Sequence, residues 1–313
     1  MTCHNCRIEM KRFGYYGRRR VQRFRCRQCG KTFSDREGPL DDLRIPLETG
    51  LRIISCLVEG CSVWSTARIC NVHKRTVLAV LCVAGRKCER LMEERLQNIP
   101  VEFVQCDEIW GYVFKKEKHR TSEEANDPHI GDAYTFVGID AKTKLILCFE
   151  LGKRDGLTTL AFIEKLKRAT SGRYQLTTDG FRPYVGAVEE VFGADIDFAQ
   201  LVKLYSGDEE TRERYSPGEV VETIPVPVQG DPDPSQISTS YVERQNLTMR
   251  MCMRRLTRLT NGFSKKWDNL KAALALNFAH YNFCRVHQTL RVTPAMEAGI
   301  TDHVFELSEL LAA

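Results

Sequence analysis

The chain has 313 residues, of which 42% are hydrophobic and 28% are charged, and this balance predicts a folded, soluble protein long enough for two or more domains. The longest strongly apolar stretch, 77–84, is far shorter than the roughly 18 residues that a transmembrane helix needs, and no signal peptide is visible. We therefore expect a cytoplasmic protein with no membrane partner.

The net charge of +5 is unevenly distributed along the chain. Residues 1–36 contain 11 Lys/Arg against two acidic residues, and residues 244–291 contain ten against one, so each segment carries +9. Two basic segments near opposite ends predict two separate contacts with a polyanion. Solvated basic surfaces are the alternative, but aromatic residues lie among the charges of the first segment and favour nucleic acid.

Two Cys-x2-Cys pairs occupy the first 36 residues. Their four cysteines are Cys3, Cys6, Cys26 and Cys29. Four thiolates at this spacing predict a tetrahedral site for one structural Zn²⁺, of the zinc-ribbon type. A segment so short and basic has little core of its own, so we expect zinc to drive its folding. A disulfide or a chance pairing is the alternative.

Apolar residues recur at helical spacing across 37–98, and part of this segment resembles a helix-turn-helix. Ala67 is small where two helices would cross, Asn71 tolerates the left-handed conformation of the turn, and Val77 would face the core. Three residues at the start of the second helix would face the major groove of DNA: Lys74, Arg75 and Thr76. A helical hairpin with a solvated basic corner is the alternative.

Strand patterns begin after residue 98 and predict an α/β domain over 99–294. The predicted elements are strands at 101–114, 134–140, 145–151, 174–178 and 197–205, helices at 157–169 and 184–192, and a final helix that begins near 240. This order resembles that of the RNase H-like fold, a mixed sheet flanked by helices. Residues 295–313 are predicted to form a C-terminal helical tail.

A segment rich in proline and acidic residues, 206–240, interrupts the predicted domain before its last helix. It contains five of the 11 prolines and eight acidic residues. Prolines at this density exclude a central strand or a continuous helix. We expect an exposed insertion, which either covers the site, contacts another subunit or has no role.

Three carboxylates stand out by their settings: Asp107, Asp179 and Glu243. The first two lie in short apolar runs typical of buried strands, where an uncompensated charge costs several kcal/mol, and the third opens a helical stretch. If the three converge, they would bind two Mg²⁺ or Mn²⁺ ions for in-line phosphoryl transfer. Glu108 should point to the opposite face of its strand and is not expected to reach the same metals.

Each of the three carboxylates also has a structural alternative. Asp107 fits a strand-end cap or an ion pair, Asp179-Gly180 fits an ordinary turn, and Ser240 with Glu243 fits a capping box. If the helix that begins near residue 240 continues, Glu243 and Asn246 lie on the same side of it as a row of arginines, the basic ridge, which would suit contact with the DNA backbone. The ridge consists of Arg250, Arg254 and Arg258.

The runs CDEIWGYV, TTDGF and SYVERQNLTMRMCMRRLTRLTNGFSKK, with the cysteine pairs and helices before them, resemble a bacterial insertion-sequence transposase of the DDE class, insertion-sequence-one family. The resemblance covers nearly the whole chain. It implies that Asp107, Asp179 and Glu243 bind two Mg²⁺ ions. It further implies recognition of the inverted repeats of the element, cleavage at its ends and joining of the freed 3' hydroxyls to target DNA.

The same resemblance implies a nucleoid-associated protein that acts on double-stranded DNA. Because two DNA ends have to meet, we expect a homo-oligomer in a synaptic complex. The alternative is a sequence-specific DNA-binding regulator whose RNase H-like domain is catalytically inactive. A hydrolytic nuclease of this fold would not need two recognition modules before it.

Overall fold

The computed structural model describes residues 3, 6, 8–16, 21–34, 38–41, 43–205, 220–257 and 260–312. The strands in these ranges are β1 Lys11–Tyr16, β2 Val21–Arg25, β3 Thr32–Ser34, β4 Ile99–Pro100, β5 Phe103–Val113, β6 Gly131–Asp140, β7 Ile146–Gly152, β8 Thr170–Ser171, β9 Gln175–Asp179, β10 Asp197–Tyr205 and β11 Val220–Gln229. The α-helices are α1 Leu47–Val58, α2 Val63–Ile69, α3 Lys74–Arg95, α4 Gly156–Ala169, α5 Pro183–Phe192, α6 Ser240–Cys252, α7 Trp267–Ala279 and α8 Pro294–Glu297.

The first three strands form a small antiparallel sheet in the order β1-β2-β3. Among the described residues, its buried apolar cluster consists of Cys3, Met10 and Cys26, with Phe24 packed against it. A cluster of this size buries too little apolar surface to fold such a segment by itself. The cysteines are therefore needed, in addition to the strands, for this unit to fold.

Helices α2 and α3 are joined by a four-residue turn that contains Asn71. Asn71 has φ 51°, the left-handed conformation that asparagine tolerates better than most residues. Ser62 begins α2 by accepting a hydrogen bond from the amide of Ser65, and the Nδ1 of His73 accepts one from the amide of Arg75 at the start of α3. The sequence therefore specifies both the turn and the helix starts.

One hydrophobic core extends from Leu40 to Leu311, across the boundary predicted at residue 98. Helix α3 crosses α7 at Gly85, where a Cβ atom would lie 2.5 Å from both the Cα and the Cβ of Ala272. Only glycine permits this close approach. The helical segment is thus packed directly on the sheet-bearing part of the chain.

The central sheet is six-stranded and mixed, in the order β11-β10-β9-β5-β6-β7. Strands β5, β6 and β7 form an antiparallel meander, β9 is parallel to β5 and to β10, and β11 is antiparallel to β10. Helices α4 and α5 lie in the connections that lead into and out of β9. This architecture is compatible with the RNase H-like fold and has the predicted order of strands and helices.

The described part of the proline-rich insertion contains a strand at the edge of the sheet, where the expectation excluded only a central strand. Residues 206–219 lie outside the described ranges, and Val220–Gln229 pairs with β10 as the edge strand β11. An edge position tolerates Pro225 and Pro227, since a strand at the edge does not need every amide as a donor. The side chains of β11 are nevertheless exposed, as expected for the insertion.

The last predicted helix is shorter than expected, and this corrects the basic ridge. Helix α6 ends at Cys252, and Met253 has an extended backbone. The hydroxyl of Thr257 donates to the carbonyl oxygens of Arg250 and Met253, which replaces helical donors at this end. Arg254 therefore lies beyond the helix and does not continue a ridge with Arg250.

The tail predicted to be helical over 295–313 is largely irregular. It begins inside the four-residue helix α8 and later contains a single 3-10 turn, Glu309–Leu311. Leu310 and Leu311 are buried in the main core, so packing rather than helix formation fixes this segment. No helix in the described part of the chain is both long and apolar enough to cross a bilayer.

Candidate functional site

A cavity of about 800 Å³, the acidic cavity, lies where β5 and β9 separate. The two parallel strands are paired only as far as Cys106 and Thr178. A crevice forms beyond the carboxyl ends of such strands, and the residues that follow line it. Asp107, Asp179 and Glu243, far apart in sequence, all line this cavity.

Asp107 is held by two hydrogen bonds. Its Oδ1 accepts from the amide of Glu108 at 2.8 Å, and its Oδ2 accepts from the Nδ2 of Asn246 at 2.7 Å. Burial and, secondarily, the negative charge of Asp179 raise the pKa of Asp107 to about 7. Without a bound cation, the ionised form of Asp107 is therefore poorly stabilised.

Glu108 belongs to the same carboxylate cluster, which corrects the expectation that it lies too far away to reach the same metals. Carboxylate oxygens of Asp107, Glu108 and Asp179 lie within 4.8 Å of one another. The reason is that β5 has lost its β9 partner at this point, so side chains from both faces meet around the free strand edge. Burial raises the pKa of Glu108 to about 7, and its side chain is only 1% exposed.

Glu243 reaches the acidic cavity from the opposite wall, on the first turn of α6. Its carboxylate accepts hydrogen bonds from the Nζ of Lys203 on β10 and from the hydroxyl of Thr239. The capping-box alternative is not formed, because Thr239 is the N-cap residue and makes no side-chain cap. The carboxylate thus faces the cavity instead of the helix backbone.

Gln105 explains how α6 is placed against β5. The residue is 4% exposed, and its Oε1 accepts hydrogen bonds from the amides of Tyr241 at 2.8 Å and Val242 at 3.2 Å. Residues two apart on a strand share a face, so Gln105 fixes the helix start on the face that carries Asp107. Sequence reasoning missed this residue, since a polar residue in a strand has no local signature of such a contact.

Arg154 and Lys203 are the two cations of the acidic cavity that form ion pairs with its carboxylates, while Arg182 also lines the cavity and is exposed. Arg154, just before α4, contacts Glu108 through Nε at 3.2 Å and Asp179 through Nη2 at 3.3 Å. Its guanidinium also lies 4.1 Å from the ring centroid of Phe181. Neither cation was identified from the sequence, because each lies in an element with no motif of its own.

The cavity residues fit divalent metal ions of the magnesium type. Carboxylate oxygens are the ligands that such hard cations prefer. Two further oxygens are buried and have no hydrogen-bond partner among the described residues, the Oε1 of Glu108 and the Oδ1 of Asn246. Buried polar atoms are rarely left in this state, so they are available to a metal or its bound water.

The four cysteines of the N-terminal unit also come together. The Sγ atoms of Cys3, Cys6, Cys26 and Cys29 lie within 4.8 Å of one another, and none of these cysteines forms a disulfide. The Sγ atoms of Cys3 and Cys29 are 3.7 Å apart. Ligands about 2.3 Å from a central Zn²⁺ would be separated by about 3.8 Å in a tetrahedron, so the arrangement fits this ion.

We expect Cys26→Ser to abolish zinc binding and to unfold the small sheet β1-β2-β3 locally, because it removes one of four ligands from a unit whose described residues form a very small core. Metal analysis should fall from about one zinc per chain to none, and hydrogen exchange should accelerate in this unit alone. Cys284→Ser, at a half-buried thiol elsewhere, is the matched control. Stoichiometric zinc in the Cys26 variant would contradict the prediction.

The residues predicted to contact DNA are only partly available at the surface. Lys74 and Arg75 are exposed at the start of α3, whereas Thr76 is half-buried. Arg250 is half-buried and its Nη1 donates to the carbonyl oxygen of Leu256 at 3.4 Å, while Arg254 is exposed. The sixth residue, Arg258, lies outside the described residues.

No protein-family model and no curated protein sequence matches the chain. Among solved structures, it is similar to a piggyBac transposase in a synaptic complex with hairpin DNA, with a TM-score of 0.37 and 11% identity over 84% of this chain and 68% of that chain. It is also similar to the Mos1 transposase in a paired-end complex with the left transposon end, with a TM-score of 0.21 and 13% identity over 50% of this chain and 60% of that chain. Similarity at this level does not assign a function, which has to be argued from the residues of the cavity.

Proposed function

We propose that this protein is a DNA transposase of the DDE class, as the resemblance to the insertion-sequence-one family implies. It would bind the inverted-repeat ends of an element, cleave them and transfer the freed strands to target DNA. One observation carries the proposal: Asp107, Asp179 and Glu243 line a single open cavity, and carboxylate oxygens of Asp107, Glu108 and Asp179 lie within 4.8 Å of one another. Stability alone gives no reason to gather them.

Asp107, Asp179 and Glu243 would hold two Mg²⁺ or Mn²⁺ ions, with Glu108 adjacent. When bound, such ions stabilise the attacking and leaving oxygens of a phosphoryl transfer and lower the pKa of the nucleophile. Asn246 fixes the orientation of the Asp107 carboxylate by donating to its Oδ2. Arg154 and Lys203 occupy the cavity beside the carboxylates and are placed to contact the phosphate that enters it.

The N-terminal parts would recognise the DNA ends. Residues 1–36 carry a net charge of +9 and, with one Zn²⁺, would form the zinc ribbon. Residues 37–98 would act as a helix-turn-helix unit, with Lys74, Arg75 and Thr76 at the start of its recognition helix. The domain over 99–294 would perform the chemistry, in a homo-oligomer that brings two ends together.

Strand-transfer products provide the test. Wild-type protein incubated with Mn²⁺ and a duplex that carries the element ends should give both nicked and joined products. Glu243→Gln should give neither, because the amide cannot hold a metal as a carboxylate does. Glu222→Gln, on the exposed edge strand β11, is the control and should behave as wild type. Joined products from the Glu243 variant would contradict the proposal.

A DNA-binding regulator with an inactive RNase H-like domain is the second candidate. The ion pairs of Lys203 with Glu243 and of Arg154 with Asp179 favour it, because they neutralise carboxylates without a metal. This candidate predicts specific DNA binding that is unchanged by Glu243→Gln, with no metal-dependent nicking by the wild-type protein.

A further inference from the structure

A second cavity, of about 500 Å³, lies where the helical segment α1–α3 meets residues 253–255 and 261–265. Four cationic residues line it: Lys74, Arg254, Arg255 and Lys265. No acidic residue is among the described residues that line it, and none of the four cations forms an ion pair with a described residue. We refer to it as the cationic cavity. Like charges gathered without counterions favour an anionic ligand.

Arg255 gives the strongest indication of what this ligand is. Its Nη1 donates to the Oγ of Ser264 at 2.8 Å, but its Nη2 is buried and has no hydrogen-bond partner among the described residues. Burial lowers the pKa of Arg255 to about 10. A buried guanidinium is stabilised when a carboxylate or phosphate accepts its hydrogen bonds, and no carboxylate is among the described residues that line the cavity.

The rest of the wall is apolar and aromatic. Trp64 is 60% exposed at the rim, and the Nζ of Lys74 lies 4.5 Å from its ring centroid. Leu57, Leu78 and Leu81 contribute apolar surface below them. A phosphate attached to a flat, partly apolar group matches this combination better than a free inorganic anion does, because the exposed indole offers a stacking surface.

The position of the cationic cavity relative to the acidic cavity favours a DNA strand over a small nucleotide. Helix α6 carries Glu243 near its start and ends at Cys252, directly before the cavity residues Met253 to Arg255. The nine residue-to-residue steps from Glu243 to Cys252 span about 14 Å of helix, roughly the rise of four base pairs. A strand bound along α6 would reach both cavities.

We propose that the cationic cavity binds a backbone phosphate, with its nucleotide, of the DNA strand whose continuation enters the acidic cavity. This inference rests on the proposed function and assigns Arg255 the role of phosphate ligand, with Lys74 and Arg254 at the rim. It also joins two groups of DNA contacts, one from the helix-turn-helix and one from the segment after α6, into a single surface.

DNA binding by Arg255→Gln, measured by fluorescence anisotropy at several salt concentrations without divalent metal, tests the proposal. We expect the affinity for a labelled duplex to fall about tenfold and the salt dependence to lose about one phosphate contact. The melting temperature of the free protein should stay the same or rise, because a buried unpaired charge is removed. Arg90→Gln, at an exposed arginine of α3 outside the cavity, makes the same charge change and should leave the affinity nearly unchanged.

Arg255→Lys keeps the charge but loses the planar fork, and it should bind DNA with an intermediate affinity even if the glutamine variant folds poorly. Equal losses in the Arg255 and Arg90 variants, or unchanged affinity in both Arg255 variants, would overturn the proposal. Titration with dAMP and with inorganic phosphate shows whether the cavity binds a free nucleotide, a free phosphate ion or only a phosphate of duplex DNA. Arg255-dependent binding of dAMP with unchanged duplex binding would overturn the assignment to DNA.

The measurement separates this inference from the proposed function, since binding without metal does not require the carboxylates. Loss of affinity in Arg255→Gln in a protein that never cleaves DNA would support the phosphate site and reject the transposase. Normal affinity in Arg255→Gln, together with cleavage that depends on Glu243, would support the transposase and reject the phosphate site.

Discussion

Asp107→Asn is expected to reduce DNA cleavage by about 100- to 1000-fold or more while making the metal-free protein more stable. The loss of activity follows because a neutral amide cannot hold a divalent ion beside Asp179. The gain in stability follows because the substitution removes a charge that burial and Asp179 both disfavour. We expect the free energy of unfolding to rise by about 1 kcal/mol, as is common when a functional charge is removed.

The surroundings of Asp107 support the expectation that Asp107→Asn is less active but more stable. The Oδ1 of Asn246 is buried without a partner among the described residues, so the amide of an asparagine at position 107 gains an acceptor if the Asn246 amide rotates. Cleavage assays and denaturant unfolding of the same preparation measure both effects. Asp132→Asn, in a half-buried position on β6 whose carboxylate accepts from the amide of Glu117, is the matched control. A variant at 107 that is less stable and still active would contradict the role of Asp107 in metal binding.

The stability of the metal-free protein should fall as the pH rises from about 4 to about 7, and added Mg²⁺ should offset this fall. Asp107 and Glu108 have pKa values of about 7 in the folded chain, against ordinary values of 3.8 and 4.5. Between these limits the folded state retains protons that the unfolded state has released. Stability is therefore present at low pH and is lost as the pH rises through the pKa values that these two carboxyl groups have in the folded chain.

Magnesium should have little effect at pH 5 and a clear stabilising effect at pH 8, because it binds the ionised carboxylates of the folded state only. Denaturant unfolding with and without Mg²⁺ at both pH values measures this difference. Other groups also titrate, so the informative quantity is the difference between wild type and Asp107→Asn, in which the pH slope and the magnesium effect should both shrink. A magnesium effect that is equal at the two pH values would argue against a carboxylate site.

The local sequence pattern was sufficient to predict the two strands and the helix that carry Asp107, Asp179 and Glu243. Apolar runs located β5 and β9, so Asp107 and Asp179 could be placed at strand positions. The helical spacing after Ser240 placed Asn246 on the same side as Glu243, and Asn246 does contact Asp107. The end of α6 was not predictable in this way, because hydrogen bonds from Thr257 and the burial of Met253 and Leu256 decide it.

The sequence by itself determined which residues can form strands, helices and cysteine clusters, because backbone preferences and the spacing of apolar residues act over a few positions. Tertiary structure alone decided that Glu108 joins the carboxylates, that Arg154 and Lys203 pair with them, and that Arg255 lies in a cavity with no counterion among its described lining residues. These contacts depend on where β5 and β9 separate and on how α3 packs against α7. Electrostatic interactions act between residues that are close in space, and spacing along the chain does not encode that proximity.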